Sequence, residues 1–210
     1  ELPLCITGGQ GRRTKTIYRY QSTDPDEKSI APGQEMLLRT FNEDNKNAGL
    51  ASYKLNAKIL PVKIVEGPYS LNNLVKAKNT NIYGYTKEDF VHSPDMYSRL
   101  EDGTENKLSS INPQQSAYSW GSVELVKWQA YDGREATGMI FKPENFDATR
   151  KYPMISYFYE RLSDSLFRYR SPAPVRSRLD ISFFVSRGYL VFVPDIRYKT
   201  GYPGKSAYDY

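Results

Sequence analysis

Short apolar runs separated by turn-forming residues dominate residues 1–117. The runs are about five residues long and rich in β-branched and aromatic side chains, which favour strands. No run there has the spacing of an amphipathic helix, and the glycine-rich residues 8–11 are predicted to be a hairpin connection without a helix behind it. The pattern predicts an antiparallel all-β unit, either a sandwich or the blades of a propeller. Its predicted strands are residues 16–20, 35–41, 51–55, 59–65, 74–77, 81–86 and 96–100.

The remaining residues, 118–210, follow a different pattern. It begins with two strands connected at Asp132-Gly133, which is a hairpin signal. Two buried apolar runs then lie on either side of a helical stretch, which predicts a βαβ unit with a parallel sheet. The predicted elements are strands at 123–129, 138–142 and 153–159, a helix at about 176–187, and a strand at 189–194.

A polar segment rich in structure-breaking residues, 112–116, lies just before Trp120 and is the best candidate for a domain boundary. We therefore expect an all-β domain at 1–117 and an incomplete α/β domain at 118–210. The chain of 210 residues, 39% of them hydrophobic, is long enough to bury a core in each domain.

Composition removes several classes of function. The net charge is +5, but acidic residues interleave with the basic ones, so nucleic-acid binding is not expected. One cysteine and one histidine exclude a disulfide scaffold and a structural zinc site, and no cofactor is expected. No run approaches the roughly 18 to 20 apolar residues that cross a bilayer, so no membrane span is expected. The compartment, cytoplasmic or extracytoplasmic (periplasmic or secreted), is left open.

Acyl chemistry by a serine requires a base, usually histidine, and often a Gly-x-Ser-x-Gly turn that presents the nucleophile. His92, the only histidine, lies in the all-β half and is predicted to be a surface or turn residue, and the pentapeptide occurs nowhere in the chain. Gly204-Lys205-Ser206 imitates the end of a phosphate-binding loop, but Lys199 stands where that loop needs a glycine, and Pro203 removes an amide. Neither a complete serine-hydrolase site nor a nucleotide site is predicted.

Seven short sequence blocks follow one another from Trp120 to Gly204. They are residues 120–126, 131–133, 138–143, 151–155, 186–192, 194–197 and 201–204. Their order and spacing resemble the start of the catalytic domain of the prolyl oligopeptidase and dipeptidyl-peptidase IV family of serine peptidases. Residues 81–86 and 93–97 likewise resemble the blade pattern of the β-propeller that precedes this domain in the family. The resemblance implies a β plus α/β fold: the last blades of a β-propeller at 1–117, then the N-terminal part of an α/β-hydrolase domain at 118–210, truncated before the nucleophile elbow.

The resemblance also implies a function. It indicates a serine-type peptidase that hydrolyses peptides through an acyl-enzyme, with the propeller limiting access to short substrates. The family's catalytic serine, aspartate and histidine come later than Tyr208, so no triad residue is carried over, and this chain by itself is expected to be inactive. The family places a tyrosine just after its third strand, where the phenol stabilises the oxyanion. Tyr159 matches that position, and Tyr157, two residues earlier on the same predicted face, is its rival.

Two alternatives stay open, an esterase or acyl hydrolase of the same fold and a non-catalytic binding protein with a degenerate hydrolase domain. The expected partners are peptide substrates. Hydrolases of this type order their strands 1-2-4-3-5, so residues 153–159 would be the third strand, and the fifth strand that pairs with it would be missing. A bare apolar edge predicts that the chain self-associates, exchanges strands with a neighbour, or leaves residues 151–210 poorly packed.

Overall fold

A computed structural model describes residues 5–55, 59–174, 177–198 and 200–209. The chain divides into two compact units. The first comprises Glu1–Asp89 and Pro94–Ile111, and the second comprises Phe90–Ser93 and Asn112–Tyr210. The short segment Phe90–Ser93 therefore groups with residues that come later in the chain.

The first unit contains two four-stranded sheets in which each strand pairs antiparallel with the next one along the chain. Every predicted run overlaps one of these strands, while the polar strand β8 was not predicted. The first sheet consists of β1 (Thr16–Tyr20), β2 (Glu35–Asn42), β3 (Ala48–Lys54) and β4 (Val62–Gly67). The second consists of β5 (Ser70–Lys76), β6 (Tyr83–Glu88), β7 (Asp95–Arg99) and β8 (Glu105–Lys107).

A one-turn helix, α1 (Gln10–Arg13), follows Gly8 and Gly9, so the expectation of a hairpin connection without a helix is wrong. Gly8 and Gly9 adopt positive φ angles of 53° and 78°, which L side chains rarely adopt. The chain then turns far enough for the amide of Arg13 to donate to the Gly9 carbonyl at 3.2 Å. The glycines therefore introduce a helical turn instead of closing a hairpin.

The core of the first unit follows from the two-residue alternation of its strands. Leu37, Leu50, Leu71, Tyr83 and Tyr85 form one buried cluster to which both sheets contribute. The neighbour of Leu37 points to the opposite face of the first sheet, where Leu38, Ala51 and Tyr53 form a second cluster. Both faces of the first sheet are thus covered by apolar contacts.

The second unit contains one four-stranded mixed sheet in the order β11-β12-β10-β9. β10 pairs antiparallel with β9 and with β12, whereas β11 and β12 run parallel. A parallel pair requires a crossover, and the helix α2 lies within it. The elements are β9 (Ser122–Gln129), β10 (Glu135–Lys142), β11 (Met154–Ser156), α2 (Ile181–Val185), β12 (Leu190–Pro194) and α3 (Pro203–Asp209).

Two elements of this unit are shorter than predicted. The strand expected at 153–159 is only β11 (Met154–Ser156), because the chain leaves the sheet after Tyr157 and exposes the aromatic residues that follow. The helix expected at 176–187 is only α2 (Ile181–Val185), and Arg176 lies outside the described residues. The Asp180 carboxylate accepts a hydrogen bond from the amide of Phe183 and so begins the helix, while Gly188, at a φ of 84°, follows its end.

The core of the second unit is apolar and aromatic. Phe90 lies within it at 2% exposure and meets Phe141 edge-on, with 5.1 Å between the ring centroids. Trp120 donates its indole N–H to the Phe90 carbonyl at 2.5 Å, which satisfies both groups. The buried residues are Phe90, Met139, Phe141, Leu166, Ile181, Val185, Val191 and Val193.

Within the described residues, no helix combines the length and the apolar character needed to cross a bilayer.

Candidate functional site

The carboxyl ends of the parallel strands β11 and β12 lie side by side at one edge of the mixed sheet. The amide of Tyr157 donates to the Phe192 carbonyl at 2.9 Å and extends the parallel ladder by one residue. In open α/β sheets, ligands bind at such edges, because the loops that follow parallel strands converge there. The residues immediately after Ser156 and after Pro194 are therefore the candidate site.

Tyr157 and Tyr159 differ in their surroundings at this edge. The Tyr157 side chain packs against the hydrophobic core, whereas Tyr159 is 73% exposed. The expectation that both lie on the same face of a strand is wrong, because β11 ends at Ser156 and the alternation of a strand does not continue into the loop. Of the two phenols, that of Tyr159 is the more accessible to a ligand.

Glu160 connects the loop after β11 to the segment after β12. Its backbone carbonyl accepts from the amide of Ile196 at 3.1 Å. The pKa of the Tyr198 phenol is raised, first by the negative charge of the Glu160 carboxylate and to a lesser degree by the nearby Tyr159 phenol. Tyr159, Glu160 and Tyr198 therefore form one polar and aromatic surface at this edge.

Asp195, directly after β12, binds Ser163 through both carboxylate oxygens. One oxygen accepts from the Ser163 amide at 2.9 Å, and the other accepts from the Ser163 hydroxyl at 2.5 Å. Ser163 is fully buried. Sequence reasoning placed Asp195 in a motif without giving it a role and did not single out Ser163. Contacts between residues this far apart in the chain leave no periodic signal.

Arg170 is a partly buried cation near the site. Burial lowers the pKa of its guanidinium, and the positive charges of Arg168 and Arg178 lower it further. The guanidinium donates to the Ser165 hydroxyl at 3.0 Å and lies 5.6 Å from the Phe141 ring centroid. The Arg170 side chain therefore faces the core and does not contribute to a basic surface patch.

The other polar candidates do not assemble into a site. His92 is exposed and belongs to the second unit, not to the all-β part. Gly204-Lys205-Ser206 lies inside α3 (Pro203–Asp209), where Ser206 is buried. Over the described ranges, no cluster of three or more histidine, cysteine, aspartate or glutamate side chains could hold a metal ion.

No protein-family model matches the chain, and no curated protein matches it. Solved structures do match. Porphyromonas gingivalis dipeptidyl peptidase 4 has a TM-score of 0.58 at 19% identity, over 80% of this chain and 23% of that one. Pyrococcus horikoshii acylaminoacyl peptidase has a TM-score of 0.57 at 16% identity, over 78% of this chain and 24% of that one. A prolyl endopeptidase has a TM-score of 0.52 at 16% identity, over 86% of this chain and 24% of that one.

The predicted resemblance to peptidases of the prolyl oligopeptidase and dipeptidyl peptidase IV family is thereby confirmed at the level of the fold. The chain spans about a quarter of the length of these solved structures.

Proposed function

We propose that this chain is part of a serine-type peptidase of the prolyl oligopeptidase and dipeptidyl-peptidase IV family. The observation that carries the proposal is the strand order of the mixed sheet. In chain order its four strands are arranged 1-2-4-3, with only the last pair parallel, as in the first part of a hydrolase sheet ordered 1-2-4-3-5. In this proposal the second unit begins an α/β-hydrolase domain.

The first unit is proposed to be the last blades of a β-propeller. Its two sheets support this assignment, because a propeller blade is a four-stranded antiparallel sheet in which consecutive strands pair. Propeller blades pack face to face, and both sheets contribute to one buried cluster. The proposed role of the propeller is to limit access to short peptides.

Tyr159 is proposed to donate a hydrogen bond from its phenol to the oxyanion that forms when a serine attacks the peptide carbonyl. Its exposure and its position after β11 support this role. A donor that reaches the developing charge only in the transition state raises kcat without tightening substrate binding. Removing one such donor lowers kcat by about 100-fold to 1000-fold.

The family assignment is tested with a serine-reactive fluorophosphonate on the full-length protein and, separately, on these 210 residues. We expect one labelled serine outside this chain, no labelling of the 210 residues alone, and hydrolysis of short peptides by the full-length protein. Labelling together with hydrolysis of esters but not peptides would favour an esterase. Absence of labelling and of hydrolysis would favour a binding protein with a degenerate domain.

The role of Tyr159 is tested by Tyr159→Phe in the full-length enzyme. We expect kcat to fall about 100-fold or more while KM changes little, because only the transition state loses a hydrogen bond. Tyr157→Phe is the matched control and should have a mild effect, since that side chain packs against the core. A severe effect of Tyr157→Phe with a mild effect of Tyr159→Phe would exchange the two roles.

A further inference from the structure

The loop that carries Tyr159 is fixed at both of its ends to β12 and the residues that follow it. On one side, the amide of Tyr157 binds the Phe192 carbonyl. On the other side, the Glu160 carbonyl accepts from Ile196, and Ser163 donates twice to Asp195.

The contact between Asp195 and Ser163 has the features of a rigid clamp. A carboxylate accepts at both oxygens, so it satisfies the amide and the hydroxyl of the same residue simultaneously. Ser163 is fully buried, and a lost hydrogen bond there would leave a polar group without water. Asp195 is itself held in the sheet, because its amide donates to the Thr137 carbonyl of β10 at 2.9 Å. The contact between Asp195 and Ser163 therefore fixes the loop relative to the sheet.

We propose that Asp195 is a positioning residue, whose carboxylate holds Ser163 and thereby fixes the loop that aims the Tyr159 phenol. The inference rests on the function proposed above. An oxyanion donor acts only when it is held close to its productive geometry, and a displacement of about 1 Å can cost on the order of 100-fold in rate. Residues that never touch the substrate can in this way control kcat.

The experiment is a double-mutant cycle in the full-length enzyme, with kcat and KM measured separately. Ser163→Ala and Asp195→Asn are each made with Tyr159 intact and in the Tyr159→Phe background. Ser165→Ala is the matched control, because it removes a hydroxyl of the same turn that donates to the Leu162 carbonyl and accepts from Arg170 but does not bind Asp195. The melting temperature of every variant is recorded alongside.

With Tyr159 intact, we expect Ser163→Ala to lower kcat on the order of tenfold and to leave KM nearly unchanged. In the Tyr159→Phe background, the same substitution should change kcat less than about twofold, since the donor that it misplaces is absent. Asp195→Asn should have an intermediate effect, because the amide still offers an acceptor to the Ser163 amide. Ser165→Ala should leave kcat near that of the wild type.

Equal effects of Ser163→Ala in both backgrounds would overturn the inference, because a purely structural contact does not depend on Tyr159. An effect of Ser165→Ala as large as that of Ser163→Ala would also overturn it. If Ser163→Ala does not fold, the cycle with Asp195→Asn shows instead whether the effect on kcat depends on Tyr159. An inactive wild-type protein would instead refute the proposed function, and an unaltered kcat in Tyr159→Phe would refute the role of Tyr159 and this inference together.

Discussion

The buried clusters of the two units differ in the ionisable groups that they contain. In the first unit, the buried phenol of Tyr85 donates to the Glu105 carboxylate at 2.5 Å, and Lys87 forms an ion pair with the same carboxylate. The Lys87 ammonium also lies over the rings of Tyr97 and Tyr69, at 4.1 and 4.8 Å from their centroids. In the second unit, the buried cluster contains only aliphatic and aromatic hydrocarbon side chains and one methionine.

Because of this difference, we expect the stability of the first unit to depend on the ionisation of buried side chains and that of the second unit to depend on how closely its side chains pack. Burial raises the pKa of Tyr69 to about 12, and it raises the pKa of Tyr85 as well, together with the hydrogen bond to Glu105. The buried cluster of the second unit contains no carboxylate or phenol, although the Arg170 guanidinium lies against its Phe141 ring, and its stability depends on the fit of side chains and backbone. The predictions below test that contrast, beginning with the largest effect.

The largest effect is expected for Gly121→Ala in the second unit. Gly121 has a φ of 86°, and a Cβ there would lie 2.2 Å from the Lys142 carbonyl oxygen and 2.6 Å from a methyl carbon of Val185. We expect a loss of about 4 kcal/mol in the free energy of unfolding, because strain and a backbone clash add. Both tryptophans, Trp120 and Trp128, belong to this unit, so urea unfolding followed by tryptophan fluorescence measures the change.

Gly133→Ala is the matched control for this substitution. Gly133 has a similar φ of 78°, but nothing lies within 4 Å of an added Cβ. We expect a loss of only about 1 kcal/mol, from the backbone conformation alone. Equal losses at the two glycines would show that packing around Gly121 does not limit the stability of the unit.

A smaller effect is expected for Glu105→Gln in the first unit. Burial opposes ionisation of Glu105, but hydrogen bonds from Lys87 and Tyr85 outweigh burial and leave its pKa below the ordinary value of 4.5. A carboxylate with a lowered pKa stabilises the folded state above pH 4.5. This contribution is lost as the pH falls through the pKa that Glu105 has in the folded state. At neutral pH, we expect Glu105→Gln to lower the free energy of unfolding by about 2 kcal/mol, because it removes the carboxylate that forms the ion pair with Lys87.

Hydrogen exchange read by mass spectrometry distinguishes the two units in the acid titration. As the pH falls below 4.5, peptides from β6 and β8 should lose protection in the wild type, and the Glu105→Gln variant should show a flatter dependence. Peptides from β10 should respond less to this substitution. A matching response in β10 would contradict the assignment of ionisation sensitivity to the first unit.

The smallest effect is expected for Asp180→Ala at the start of α2. The Asp180 side chain accepts from the amide of Phe183 at 3.2 Å near the surface. Loss of this cap should lower the free energy of unfolding by about 1 kcal/mol, and Asp180→Asn, which also caps well, should lower it much less. A loss as large as that for Gly121→Ala would mean that the polar cap matters as much as the packing of the unit.

The sequence predicted most strands because short apolar runs lie between turn-forming residues, as in β2 (Glu35–Asn42). It did not predict β8 (Glu105–Lys107), whose three residues are polar and are recruited by pairing with β7. It also extended β11 to Tyr159, since an unbroken aromatic run does not reveal where the chain leaves a sheet. Local patterns therefore identified the elements, while tertiary pairing decided where several of them end.

For the candidate site, the sequence provided Tyr159 through a resemblance to a family. It did not provide Ser163 or the role of Asp195, because their hydrogen bonds join residues on different elements. No spacing within a single strand or helix encodes such a contact. Sites built from loop ends therefore require the fold before their supporting residues can be recognised.

Phe90 has a consequence for the order in which the chain acquires its structure. During synthesis it leaves the ribosome well before Trp120 and Phe141, whose rings pack against it, and before the other members of its buried cluster. Until those residues emerge, a large aromatic side chain stays in water, and closing the long loop between them carries an entropic cost. The second unit therefore completes its core late, and the nascent chain presents an apolar site to chaperones during that interval.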